Sequence, residues 1–224
     1  MRGTEYIRII RQRASRKNKF LNEVAGVIHV GANTGQERRL YAAFRLDVAW
    51  IEPIPSVFAQ LRGNLAEFPR QRAFQYLVTD RDEHIYDFHI ASNEGQSSSI
   101  LPLANHRNMF PKVYYSEELK LRSITLASLM KQEALDPLAF QALVLDTQGS
   151  ELMVLRGATT VLPHFRFVKV EVPDFESYKG CCVSSELSDF MTQQGFSERR
   201  RDAFCTVRGV GAYFDVLYER TASL

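Results

Sequence analysis

Cysteine is scarce in this chain of 224 residues: only Cys181, Cys182 and Cys205 occur, two of them adjacent. None stands in a C-x-x-C pair with partner histidines, which excludes a disulfide scaffold and a zinc ribbon. No stretch approaches the roughly 18 uninterrupted apolar residues of a spanning helix, and the first residues are basic without the apolar core of a signal peptide. A soluble, cytoplasmic protein with no transmembrane segment is expected. Internal repeats and Gly-, Pro- or Ser-rich linkers are also missing. Charge is nearly balanced, with 28 Lys+Arg against 26 Asp+Glu. Residues 1–20 hold seven of the bases (Arg2, Arg8, Arg11, Arg13, Arg16, Lys17 and Lys19) against one acid, Glu5, so the remainder carries −4. The basicity belongs to a leader, which argues against a nucleic-acid-binding body. A basic helical arm over 1–25 and one domain over 26–224 are expected.

What is present is 45% hydrophobic and 11% aromatic residues, enough for one substantial core. Strand-like and helix-like stretches alternate, the pattern of a mostly parallel sheet with crossover helices. Strands are predicted at 27–30 (VIHV), 47–51 (DVAWI), 73–79 (AFQYLVT), 85–91, 142–146 (ALVLD) and 167–172 (FVKVEV). Helices are predicted at 34–44, 55–68, 126–133, 150–162 and 185–194. The end of the chain, 204–207 and 212–218, reads as an antiparallel hairpin. Residues 93–122 are polar and aperiodic and read as an insertion or lid.

The stretch Gly31-Ala32-Asn33-Thr34-Gly35 leaves a buried strand and opens a helix, where α/β sheets bind nucleotide-like ligands on backbone N–H groups. Gly31 permits a sharp turn and Gly35 a close helix start. Glu52 ends the second strand 21 residues past Gly31, where a carboxylate can accept both hydroxyls of a ribose. A nicotinamide or flavin site would want a second glycine where Asn33 stands, because a pyrophosphate presses there on the backbone. S-adenosylmethionine has no pyrophosphate and needs no such clearance.

VIHVGANTG (27–35), IEPIP (51–55), SSS (97–99), LVLDTQGSELMVLRGA (143–158), VKVEV (168–172) and Gly195-Phe196 occur in an order and spacing that resembles the FkbM family of S-adenosylmethionine-dependent methyltransferases. The resemblance spans roughly residues 26–218. It implies the Rossmann-like class I fold, a seven-stranded sheet whose last strand is antiparallel. It also implies that Gly31, Ala32, Asn33, Thr34 and Gly35 cradle the cofactor's methionine portion, that Glu52 holds the ribose, that Thr79 and Asp80 contact adenine, and that Asp146 sits beside the sulfonium. One position departs from the family pattern: His29 stands where an Asp is usual, which removes a negative partner for the cofactor's ammonium group.

The expected activity is O-methylation of a sugar or small natural product, with Asp146, Glu171 and His106 as candidate bases in that order. Ser98, Ser99, His106, Gln148, Glu171 and Tyr178 are candidate acceptor contacts. No metal is expected, since a hard cation wants several converging oxygens and Asp146 is followed by Thr147 and Gln148, while Glu151 suits a helix N-terminus. A homo-oligomer is compatible with the sequence. Plainer roles compete: His29 as a neutral core histidine, Asp146 as a helix cap, and Arg199 to Arg201 as surface charge neutralised by Glu198 and Asp202. Two other functions compete as well, a nucleotide-dependent oxidoreductase and a non-catalytic binding module on a degenerate methyltransferase fold.

Overall fold

The apolar run of β1 (Gly26–Val30) is buried at all five positions, and β7 (Ala142–Leu145) at all four, as expected of strands covered on both faces. The computed structural model describes Gln12 and residues 15–221. Its main sheet has seven strands in the order β3-β2-β1-β7-β8-β10-β9, with β2 Asp47–Ile51, β3 Gln71–Phe74, β8 Phe167–Pro173, β9 Phe196–Val207 and β10 Gly211–Arg220. Only β10 runs against the rest, wedged between β8 and β9. On β9, an edge strand, charge deters further pairing. Arg200 pairs with Asp202, and Arg201 with Glu198 at 2.7 Å. The third of that run, Arg199, turns to Glu23 at 3.0 Å.

Alternation along the strands sorts side chains between two cores. Ile28, Ala49, Leu143 and Val170 face one layer, made by α4 (Leu126–Gln132), α5 (Glu151–Gly157) and α6 (Ser184–Gln193). Val27, Trp50, Val144 and Phe167 face the other, made by α1 (Arg38–Ala43), α2 (Pro55–Asn64) and a 3-10 helix, Arg16–Glu23. That 3-10 helix is held by Phe20 and Leu21, both buried, with the Phe20 ring 5.6 Å from Phe167. Each such side chain contributes roughly 1.5–3 kcal/mol by burial. Most of the basic arm expected over 1–25 lies outside the described residues.

Two boundaries differ from the sequence expectation. The predicted third strand breaks at Gln75: β3 stays in the main sheet, while β4 (Leu77–Thr79) pairs with a separate strand, β6 (Tyr115–Thr125). Residues 93–122 are correspondingly not all irregular, because they contain α3 (His106–Met109) and most of β6, which runs antiparallel to β5 (Ile85–Ala91). Leu119 and Leu121 alternate with charged residues whose heads lie in solvent, which hid the period. Arg122 reaches Glu83 at 2.5 Å and Glu118 reaches His89 at 3.2 Å across this small sheet. Such exposed pairs are worth little individually but help register.

Candidate functional site

Strand order reverses between β1 and β7, and ligands of open α/β sheets bind beyond the strand ends at such a point. There the two backbones touch: the Asp146 amide donates to the Val30 carbonyl at 3.0 Å. Gly31 has φ +82°, and a Cβ added to it would lie 1.8 Å from the Asp146 carbonyl oxygen, so any side chain would push the strands apart. Gly35 serves packing instead. A Cβ there would meet Leu61 of α2 at 2.8 Å, away from the strand ends.

Glu52 is 4% exposed. Its two oxygens each accept one backbone N–H, from Asn33 at 2.9 Å and from Ile54 at 2.9 Å. The carboxylate is therefore clamped, and each oxygen keeps a lone pair for a further donor. Burial pushes its pKa up to about 7 against the pull of those two amides. A vicinal diol fits this acceptor pair, and the buried, backbone-held carboxylate is the geometry a ribose needs.

Glu52 opens into a cavity of about 580 Å³, within the size range of small-ligand sites. Of the residues singled out from the sequence, His29, Gly31, Ala32, Asn33, Glu52, Ser98, His106, Asp146, Gln148 and Glu171 line it. Thr34, Gly35, Thr79, Asp80, Ser99 and Tyr178 do not. Thr79 is sealed beneath α5, whose Gly157 packs so closely that a Cβ would lie 2.2 Å from the Thr79 carbonyl. Asp80 is taken up by Arg81 and the Tyr86 hydroxyl. Tyr76, Leu77 and Val78, just upstream, line the cavity where Thr79 and Asp80 do not.

Asp146 does not cap a helix. Its Oδ1 accepts from the Gln148 side chain, whose own Oε1 accepts from the Tyr178 hydroxyl at 2.7 Å. Gln148 has φ +54° and Gly149 φ +104°, a left-handed turn that folds this side chain back toward Asp146. Burial raises the Asp146 pKa to about 6, with the Gln148 bond opposing. Ser99 supports the same turn by donating to the Gln148 carbonyl at 2.7 Å. The Glu171 carboxyl receives no hydrogen bond among the described residues, and burial with the charges of Asp146, Asp215 and Glu151 holds its pKa well above the carboxylate range. His106 is 3% exposed and pinned between the Tyr213 hydroxyl at 2.7 Å and Ser97 Oγ at 3.1 Å. Burial lowers its pKa to about 4, so it is neutral. Glu151 accepts from the amides of Thr147 and Gly149, a structural role at the start of α5. His29 is buried between the core and the cavity wall, stacked 4.8 Å from Trp50 and 3.1 Å from the Tyr41 hydroxyl, with its pKa lowered by burial to about 3. No group of three or more His, Cys, Asp or Glu with metal-holding geometry occurs among the described residues.

Sequence reasoning missed Glu37, Lys169 and Asp215, which line the same cavity. In VKVEV the valines face the core, so Lys169 and Glu171 must share the opposite face; that alternation was the available signal.

These buried carboxyls make stability pH-dependent. A carboxyl whose folded pKa exceeds its unfolded value binds more proton in the native state, so stability falls as pH rises through that window. Glu52 and Glu151 reach about 7, Asp146 reaches about 6, and Glu171 is also raised. His29 and His106, lowered to about 3 and 4, act oppositely, but only below their ordinary value of 6.5. The unliganded protein should therefore lose thermal stability between pH 6.5 and 8, and Glu171→Gln should flatten the slope. A melting temperature that is flat or rises over this range contradicts the assignment.

Among curated proteins the chain resembles 2-O-methyltransferase NoeI of Sinorhizobium fredii, 26% identical over 162 residues, which are 69% of this chain and 65% of that protein. Among solved structures it resembles the METTL16 MTase domain (TM-score 0.54, 8% identity, 91% of this chain and 64% of that one). It also resembles precorrin-6y C5,15-methyltransferase of Geobacter metallireducens GS-15 (TM-score 0.50, 8% identity, 92% and 87%). At such identities these structures show the fold alone, and that fold is the Rossmann-like class I methyltransferase fold read from the sheet. No helix among the described residues is long and apolar enough to cross a membrane. The sequence matches the family profile described as Methyltransferase FkbM domain over residues 29–198, about three quarters of its length, and the chain therefore belongs to the FkbM methyltransferase family.

Proposed function

We propose that the protein is an S-adenosylmethionine-dependent O-methyltransferase acting on a hydroxyl of a sugar or small natural product. The observation that carries this reading is that the clamped Glu52 carboxylate and the Asp146 carboxylate open into one cavity from opposite sides of the strand-order reversal. The relative's printed activity, 2-O-methylation, supports oxygen as the methylated atom.

Bound S-adenosylmethionine would supply the electrophilic methyl. Glu52 would take the ribose hydroxyls, the backbone at Gly31 to Asn33 would lie along the chain beyond them, and Tyr76, Leu77 and Val78 would flank the base. Gln148 and Tyr178 fix the rotamer of Asp146 and leave its Oδ2 free for an acceptor hydroxyl. Asp146 takes the proton that the acceptor oxygen loses as it attacks, and a pKa near 6 keeps it ionised yet basic at neutral pH. His106, Ser97 and Phe110, from the segment after β5, line the cavity and would shield the bound acceptor from water. Most of the rate then comes from alignment of oxygen, carbon and leaving sulfur.

The test is transfer from an isotope-labelled methyl donor to a panel of sugars and small polyols, with the label located by NMR. Label on acceptor oxygen is the expected outcome, and label on nitrogen or carbon would sink the O-methyl assignment.

A further inference from the structure

The cavity continues past Asp146 along the sheet face that carries α1, into a pocket that the scheme above leaves unused. Lys169 occupies the same rung of the sheet as His29 and Val144. Glu171 and Asp215 face each other one same-face step onward, roughly 6.6 Å along the strand. Lys169 Nζ donates to Asp215 Oδ1 at 2.8 Å, and Lys17 of the 3-10 helix lies 4.0 Å from Asp215 Oδ2. Glu37, just ahead of α1, feels the charges of both Lys169 and Asp215. All four line the cavity. His29 and Tyr41 complete the wall and are neutral.

Lys17 and Lys169, with Glu37 and Asp215, hold both signs in fixed places in one pocket, and the Glu171 carboxyl stands beside Asp215 at its edge. A purely anionic ligand group would meet the carboxylates, and a purely cationic one the lysines. A group carrying both charges on adjacent atoms can satisfy each, which is what a buried charge requires. Lys169 has two ammonium hydrogens beyond the one given to Asp215, and Asp215 keeps lone pairs beyond the one that accepts it. We propose that this pocket receives the zwitterionic amino-acid end of the cofactor, with Lys169 and Lys17 taking the α-carboxylate and Glu37 and Asp215 taking the α-ammonium. The inference rests on the cofactor reading of Glu52. It assigns recognition of the amino-acid end to side chains from four separate elements, where the sequence pointed to the 31–35 loop.

Two probes separate the inference from the reading beneath it. S-adenosylhomocysteine carries the amino-acid end, and 5′-methylthioadenosine shares the adenosine and sulfur but lacks it. By titration calorimetry the wild type should bind both, the first more tightly. Lys169→Met should weaken S-adenosylhomocysteine roughly 10-fold or more, as loss of a hydrogen bond to a charged group does, and leave 5′-methylthioadenosine within about twofold. Glu37→Gln should shift the same preference in the same direction, and it supplies the contrast should Lys169→Met fail to fold. Variants that weaken both ligands equally, or neither, overturn the pocket assignment while the Glu52 site stands. A wild type that binds neither ligand overturns both.

Discussion

Glu52→Ala should bind S-adenosylhomocysteine about 100-fold more weakly than the wild type, or worse. Two hydrogen bonds to a charged acceptor are at stake, each worth roughly 1.5–3 kcal/mol, and each 1.4 kcal/mol is a factor of ten in affinity. The loss has a second source. Glu52 also receives the Asn33 and Ile54 amides, so its removal frees the loop that follows β1. Glu52→Gln separates the two effects: its carbonyl oxygen can still accept one amide, whereas its NH₂ must face a donor. Calorimetry on both variants, with circular dichroism to confirm folding, is the measurement. Unchanged affinity in folded Glu52→Ala would remove the ribose assignment.

The second large effect is expected on turnover. Asp146→Asn should lower the rate by about 10²- to 10⁴-fold, the usual contribution of a general base. Cofactor affinity should change far less, because the substitution keeps the volume and the Gln148 contact can re-form by an amide flip of either partner. Gln148→Leu should produce a milder loss by releasing the Asp146 rotamer from the Tyr178-anchored chain. Turnover should be indifferent to EDTA. Near-normal turnover of Asp146→Asn, or full loss with EDTA restored by Mg²⁺, would refute a proton-accepting Asp146 that works without metal.

The strand ends that build the site were legible because their physics is local. A mostly apolar run closed by glycine, as in VIHVG, has few alternatives to a buried parallel strand, and Glu52 follows a second apolar run, VAWI. Glu171 was legible for the same reason. Lys169, in the same run, was not singled out, because a lysine gains its meaning only from the chain positions brought beside it. Its partners Asp215 and Glu37 come from β10 and from the approach to α1, elements that sheet order and no local period places together. Tyr76 to Val78 were read as the middle of one strand, and only the break at Gln75 turns them to the cavity. β6 was lost to its solvent face, where charge at every second position outweighs the leucines between. The lone histidine of the first strand shows a mixed case: His29 on an apolar strand read as a neutral core residue, and it is buried, stacked on Trp50 and bonded to Tyr41, yet it also lines the cavity.

The reversal of strand order also partitions the molecule by position along the chain. Glu52, the 31–33 loop and Tyr76 to Val78 all precede residue 79, whereas Ser97, His106, Asp146, Glu171 and Tyr213 all follow it. The segment after β5 packs on the first part, with Ile100 clustered with Ile54, Val57 and Leu77 and Asn33 Nδ2 donating to the Glu94 carbonyl. Grafting that segment would therefore disturb Asn33 and Ile54, whose amides clamp Glu52, whereas exchange of the turn at 208–210 would not touch either. In the proposed scheme the donor is held from both parts, by Glu52 from the first and by Lys169 and Asp215 from the second, so a change in the cavity wall after residue 79 acts on donor and acceptor together.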